Sequence, residues 1–430
     1  MMAEPIAADP PPIVRPLRIL MLTPEPPSPH ARGGRPQATA AALASLFGRH
    51  HVTLVTQAGG DPADVDAIKR WTDAGVDVHV AWWPRPSGLG LQARRLDLAL
   101  RWLFGRDPWT NVLYADPAVQ EILDAVLEAE PFDVVLVEDN VMAGYRFGAP
   151  VAKVLTEHEV RRSRTRQGLA GASRQAFQAW LRELDWSRWR AFQARIWPRF
   201  DRVQVFTPAD AAVAASLAPE LGRRLCLNPL GSEVPKPCTL GRTDAVDRRP
   251  LVFVGALSHQ PNVDAAEWLA RDILPAIRQR RPDATLTIVG QSPPASIRAL
   301  QSETVDVTGT VPDVEPYLDA AEVVLAPVRI GGGLRTKVLQ AMAHAKPVVT
   351  TTRGAEGIGS GQRPPLVVAD TADAIADVTV ELLGDAAARR DLGERARAFV
   401  EEQHSSAAYG ARLEAILAEV VAPEPASVGR

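Results

Sequence analysis

Ala326 to Thr352, APVRIGGGLRTKVLQAMAHAKPVVTTT, is the stretch that decides the fold. Just before and into it, Glu322–Pro327 (EVVLAP) is a short apolar run ending at a proline. Val328–Gly333 (VRIGGG) is a loop closing on consecutive glycines, Leu334–Ala345 has helical spacing, and Pro347–Thr351 (PVVTT) is a second β-branched run. Strand, glycine loop, helix, strand predicts a parallel sheet with a crossover helix. The loop carries the chemistry. Residues without Cβ let the backbone approach a ligand closely. The first N–H groups of the following helix, from Leu334 on, have no intrahelical partner. That end also carries positive dipole and favours a phosphate. Arg335 and Lys337 add two full positive charges at the same place. At about 100° per residue, Leu334, Val338, Ala341, Met342 and Ala345 form the predicted buried stripe. Lys337, Gln340 and His344 fall together on the opposite face, which predicts a polar, hydrogen-bonding side. Without a ligand the same residues read as a flexible turn with solvated cations. Neither a G-x4-G-K-[ST] phosphate loop nor a G-x-G-x-x-G fingerprint occurs at this loop.

The chain has 430 residues, enough for two domains with their own cores. A net charge of -3 gives no polyanion-binding signature, and no nucleic-acid module is recognisable. Cys226 and Cys238 are too few for a disulfide framework or a thiolate metal site, which fits a reducing compartment. The lone D-x-D, Asp64 to Asp66, is predicted to lie in a polar loop and gives no convincing metal motif. Met1 to Pro16 is rich in proline and alanine, lacks the basic start and apolar core of a signal peptide, and predicts a disordered tail. No apolar run approaches the roughly 18 residues that a membrane span requires.

The first half opens with Leu17–Thr23 (LRILMLT), a near-continuous apolar strand as in a buried parallel sheet. A Pro/Gly loop follows, containing Gly33 and Gly34, then an Ala-rich helix from Pro36 and the strand His51–Thr56. This is a doubly wound opening. Further strands are predicted at Val76–Trp82, Phe132–Glu138, Ala152–Glu157 and Asp201–Thr207. Leu91–Phe104 reads as a helix with Leu91, Leu98 and Trp102 apolar among arginines. Arg161–Arg202 is rich in arginine and tryptophan, and Phe177, Leu181, Leu184, Trp189, Phe192 and Ile196 approximate a helical stripe. Its aromatics read as core, with contact to an anionic membrane surface as the alternative.

The second half begins after a Pro/Gly-rich linker at Leu227–Pro250. Leu251–Val254 restarts a sheet, Gly255 opens a second glycine turn, and a helix is predicted over Val263–Arg280 with Asn262 as its N-cap. Strands follow at Ala284–Gly290, Val305–Gly309 and Pro365–Val368, and helices at Asp373–Phe399 and Tyr409–Val421.

GGGLRTKVLQAMAHAKPVVTT resembles the donor-site motif of retaining glycosyltransferase family 4 (the group 1 glycosyltransferases), and specifically its bacterial sugar-transferase branch. The resemblance covers nearly the whole chain and is most specific over Leu251–Ile358. It implies the GT-B fold: two Rossmann-like, doubly wound parallel-sheet α/β domains with an interdomain cleft. Residues 1–16 are then a tail, 17–230 the acceptor-side domain, 231–250 a linker, 251–400 the donor-nucleotide domain, and 401–421 a helix returning to the first domain. The implied activity is transfer of a sugar from a nucleotide-diphosphate sugar to a glycan, lipid-linked or small-molecule hydroxyl, with retention of configuration. No cofactor and no metal are expected, and the expected location is the cytoplasm, at the inner face of the membrane if the basic aromatic segment touches lipid.

The resemblance assigns catalytic roles to His158, Arg335 and Lys337. It assigns donor binding to Gly255, Val311, Gly332, Gly333, Leu334, Arg335, Lys337 and Gln340. Gly33, Gly34, Glu159 and Arg162 fall on the acceptor side, His158 and Glu159 within TEHEV, which resembles the family's T-x-H-[DE]-V. Two departures stand out. Gln340 replaces the family's ribose-binding Glu, keeping an acceptor and a donor but losing the charge. Gly332 stands where the broader E-x7-E pattern has its first Glu. A sugar-nucleotide 2-epimerase of the same fold, or a non-catalytic homologue, are the alternative readings.

Overall fold

Strand β1 (Arg18–Thr23) is buried from Ile19 to Thr23, as its unbroken apolar run requires of a strand covered on both faces. It pairs in parallel with β2 (His51–Ala58) on one side and β4 (Val134–Glu138) on the other, with Ile19 opposite both Val52 and Val134. The computed structural model describes residues 13, 15–29, 34–83, 87–148, 150–158, 160, 173–231, 234–235, 249–331, 335–359 and 363–422. Most of the predicted tail and linker therefore lies outside the described residues. The chain divides into one unit of Met1–Asn228 with Gly410–Arg430 and a second of Pro229–Tyr409.

The first unit is completed by β3 (Asp77–Trp82), β5 (Ala152–Glu157), β6 (Arg202–Val205) and β7 (Leu225–Leu227), in the order β3-β2-β1-β4-β5-β6-β7. Every pairing is parallel. The linker expected from Leu227 thus starts later than the sequence suggested: Leu225–Leu227 adds a short edge strand beside β6. Trp189, Phe192 and Ile196 of the helix Ser173–Ile196 are buried in this unit's core, as the stripe predicted. Asp64 and Asp66 lie in the helix Pro62–Ala74, not in a loop. Asp64 Oδ2 accepts hydrogen bonds from the Gly59 and Gly60 amides at 2.7 and 3.2 Å, so it is spent on local structure. The last helix, Ser406–Val421, belongs to this unit from Gly410 onward. It buries Leu413, Ile416 and Leu417.

The second unit holds β8 (Arg249–Val254), β9 (Leu286–Val289), β10 (Val305–Gly309), β11 (Ala321–Ala326), β12 (Val348–Thr350) and β13 (Val367–Val368). Their order is β10-β9-β8-β11-β12-β13, again all parallel. The helix expected over Val263–Arg280 starts earlier, at Gln260, with His259 as N-cap and Asn262 inside it. It passes through a π-helical segment at Leu269–Ile273 into Leu274–Arg278. Pro275 explains the break, because it has no N–H for a regular α-helical bond and its ring crowds the preceding turn. The helix expected over Asp373–Phe399 is two, Ala372–Gly384 and Ala386–Gln403, divided at Asp385, whose carboxylate accepts from the Ala387 and Ala388 amides at 2.9 Å each. Among the described residues no helix is long and apolar enough to cross a membrane.

Candidate functional site

In the second unit the strand order reverses between β8 and β11. Loops leaving the carboxyl ends of two such strands diverge and leave a crevice for a ligand. β8 ends at Val254 and passes to Gly255, while β11 ends at Ala326 and leads to Gly331. Gly255 lets the neighbouring helix close in. A Cβ there would lie 2.9 Å from Asn262 Cγ. Asn262 is buried, its Nδ2 donates to Ala256 O at 2.8 Å, and its Oδ1 accepts from Lys337 Nζ. The same ammonium lies 5.2 Å from the ring centroid of Phe253 on β8, a cation–π contact.

Lys337 and Arg335 are therefore two cations in a poorly solvated corner. Burial first, and the Arg335 charge second, lower the Lys337 pKa from 10.5 to about 8. Arg335 occupies the N-cap of the helix Thr336–Ala343 and is only 7% exposed. Burial lowers its pKa; Glu356 opposes that effect and Arg353 reinforces it. An anion arriving here would relieve both the desolvation and the mutual repulsion.

Gly331 opens the loop with φ +95°, left-handed backbone that favours glycine. A Cβ there would meet the Pro261 ring at 3.1 Å. Its carbonyl accepts from Arg353 Nη1 at 3.0 Å. Gly332, Gly333 and Leu334, and with them the expected cradle of backbone amides, lie outside the described residues. Next to this loop is a cavity of about 630 Å³ lined by Val328, Arg329, Thr351, Thr352, Arg353, Glu356 and Asp370. Its volume suits a small-molecule ligand. Arg329 is held by a paired contact to Asp264, at 2.7 and 3.1 Å, and stacks 4.5 Å over Trp268.

The helix Thr336–Ala343 corrects one expectation. The face of Lys337, Gln340 and His344 is not an open polar side. His344 is buried and its Nδ1 lies 2.8 Å from Asp319 Oδ1, a bond that holds the Asp319 carboxyl below the usual range. Leu339 is buried too, so the helix packs on more than the predicted stripe. Gln340 is half-buried, and its side chain makes no hydrogen bond among the described residues. Val311 is half-buried, two residues after Gly309 with φ +69°, and packs on the cluster that contains Val338 and Leu339.

His158 is in the first unit, immediately after β5. Its Nε2 lies 2.7 Å from Glu138 Oε2 at the end of β4, and its ring stands edge-on to Phe206 at 5.1 Å. A chain of buried hydrogen bonds backs this pair. Thr156 Oγ1 donates to Glu138 Oε1 at 2.8 Å, Gln204 Nε2 to Thr156 Oγ1 at 2.5 Å, and Asn228 Nδ2 to Gln204 Oε1 at 2.9 Å. Arg412 Nε, from the last helix, donates to Asn228 Oδ1 at 3.0 Å. Beside the pair, Arg35 Nε lies 2.7 Å from Asp139 Oδ2. Gly34 is exposed at the first position of the helix Gly34–Leu46, with open space where a Cβ would go. Gly33, Glu159 and Arg162 lie outside the described residues.

The structure thus brings Gly255, Arg335 and Lys337 together in one unit and puts His158 in the other. Sequence reading missed Asn262 as the lysine's partner, Glu138 as the histidine's, and Arg353 as the anchor of the loop. Glu138 had a signal: a carboxylate at the carboxyl end of an otherwise apolar strand. The other two are visible only once the helices are packed.

Residues 248–385, which include the Lys337 corner, match the family model described as "Glycosyl transferases group 1". An uncharacterized 44.6 kDa protein in the cps region of Klebsiella pneumoniae is 24% identical over 165 residues, 36% of this chain and 42% of that protein. The match therefore spans less than half of that relative's length. The crystal structure of Anabaena HepE in complex with UDP and glucose superposes with a TM-score of 0.58 at 14% identity, over 93% of this chain and 98% of that one. The N-terminal domain of trehalose-6-phosphate phosphatase from Candida albicans superposes with a TM-score of 0.64 at 13% identity, over 97% and 100% of the two chains. At such identities the likeness shows the fold, which is GT-B with its two parallel-sheet α/β units.

Proposed function

We propose that the chain is a retaining glycosyltransferase of the family 4 type. It moves a sugar from a nucleotide-diphosphate sugar to a hydroxyl of a glycan, a lipid-linked sugar or a small molecule, in bacterial polysaccharide or glycoconjugate synthesis. One observation carries this reading: two partly desolvated cations, Arg335 and Lys337, held at the strand switch point of the second unit. The family match over residues 248–385 and a solved GT-B structure that contains UDP and glucose support it.

In this reading the bond from the anomeric carbon to the diphosphate oxygen breaks. The acceptor oxygen forms its bond to that carbon on the same face, and the acceptor proton passes to the departing diphosphate. Arg335 and Lys337 stabilise the charge that builds on the leaving group, so no metal ion or organic cofactor is required. His158, fixed by Glu138, orients the sugar. Gln340 gives the ribose diol one acceptor and one donor. The absence of an acid at Gln340 favours a second reading, a sugar-nucleotide-binding homologue without turnover.

A thermal-shift panel of UDP-, GDP- and ADP-sugars tests the proposal, followed by transfer assays in EDTA with the product's anomeric configuration read by NMR. Donor at about a hundred times its Kd adds roughly 2.7 kcal/mol to the folded state. One nucleotide should raise the melting temperature, and the product should keep the donor's configuration. A shift without turnover, with turnover gained by Gln340→Glu, would support the second reading. No shift from any donor would overturn both.

A further inference from the structure

The helix Leu89–Phe104 leaves several large apolar side chains of the first unit in water. Leu96, Leu100, Leu103 and Phe104 are 60, 44, 49 and 81% exposed. Their three- and four-residue spacing puts them on one stripe. Exposed Ala93 and Ala99 adjoin it. The other side fastens the helix down. Leu98 and Trp102 are half-buried, and Trp102 Nε1 donates to Asp185 Oδ1 at 2.8 Å. The Arg188 guanidinium lies 4.9 Å over the Trp102 ring, and its Nη2 donates to Leu103 O at 3.2 Å. The helix is thus pinned with its apolar stripe outward. Trp109, 40% exposed, packs edge-on to Trp102 at 6.3 Å.

Charge decides what this face meets. The helix carries Arg94, Arg95 and Arg101 against a single acid, Asp97, in a chain whose net charge is -3. At about 100° per residue, Arg95 falls on one flank of the stripe and Arg101 on the other. Both are exposed, as is Arg106 just beyond the helix. Asp97 lies 3.9 Å from Arg101 and is offset by it. We infer that this face docks on the surface of an anionic phospholipid bilayer. A helix lying in the interface sinks its apolar side below the headgroups while flanking arginines reach the phosphates. Trp109 is of the aromatic type that settles at headgroup level, and Phe104 suits the apolar side of such a helix. A second copy of the chain fits less well, since two-fold pairing of this stripe would set arginine flanks against arginine flanks. The inference rests on exposure and charge alone and stands apart from the sugar-transfer reading.

The test is flotation of the full chain with vesicles of phosphatidylcholine, alone or mixed with phosphatidylglycerol. Binding to the mixed vesicles is expected, weakening as salt rises. Leu96→Ser/Leu100→Ser/Phe104→Ser should weaken it by roughly tenfold or more at an unchanged melting temperature, because the removed groups touch water in the free protein. Arg95→Gln/Arg101→Gln should weaken binding to the mixed vesicles only. The inference is overturned if the parent binds neither vesicle, or if the triple variant binds as the parent does. A dimer in sedimentation equilibrium that the triple variant abolishes, without vesicle binding, would assign the face to a second copy.

Discussion

Lys337 is the residue whose chemistry is set most tightly by its surroundings. Asn262 and Phe253 hold its ammonium, while burial and Arg335 disfavour its charge. The sign follows from the direction of the shift. With a folded pKa of about 8 against an ordinary 10.5, the unfolded chain binds the proton more strongly. The charged lysine therefore costs stability below about 8, and that cost is relieved as pH rises toward 10.5. A diphosphate reverses the balance, because it favours the ammonium. Nucleotide affinity should accordingly fall as pH rises through about 8, by up to roughly tenfold per unit, with proton uptake on binding above it. Calorimetric titrations in buffers of different ionisation enthalpy would read both effects, and Lys337→Arg should flatten the profile. A flat affinity in the parent would show that this lysine does not meet the anion.

At the scale of elements, the strands were the most legible feature. A strand covered on both faces must be apolar through its middle, and LRILMLT, FDVVLVE and LVFV carry their polar residues only toward the ends. β7 escaped because three residues at a sheet edge give too short a pattern. Most of the long helices were legible, but Pro62–Ala74 read as a polar loop, and faces and breaks were less clear. Thr336–Ala343 buries Val338, Ala341 and Met342 of its predicted stripe together with Leu339, and His344 at its C-cap is buried because Asp319 offers the histidine a partner that periodicity does not encode. Leu89–Phe104 shows the converse, an apolar stripe that is not core. The glycine loop and its two cations were readable as types, whereas Asn262 and Glu138 needed the packing. The last helix gives an element-scale test. It contributes Leu413, Ile416 and Leu417 to the first unit, together with Glu414 to Arg49 and His50, Glu419 to Arg202, and Arg412 to Asn228. Exposing three such aliphatic side chains costs on the order of 5 kcal/mol. Ending the chain after Tyr409 should therefore lower the melting transition of the first unit well below that of the intact chain. An unchanged transition would mean that this helix is an accessory.

At the scale of the whole molecule, each unit repeats one device: a parallel sheet whose strand order reverses once, with polar and charged side chains in the segments that follow the carboxyl ends of its strands. In the first unit those groups are the His158–Glu138 and Arg35–Asp139 pairs, in the second Arg335 and Lys337. In the first set each carboxylate already has a nitrogen partner within hydrogen-bonding distance. In the second, burial depresses both cations, with the Arg335 charge adding to the shift at Lys337 and the Arg353 charge to that at Arg335, which is the state an anionic ligand corrects. The most direct test is a calorimetric titration of UDP, GDP and ADP into the parent and into Arg335→Ala/Lys337→Ala. The account predicts that the parent binds one of the three and that the double variant loses roughly a hundredfold in affinity, with turnover falling alongside. Equal affinity in parent and variant would contradict it.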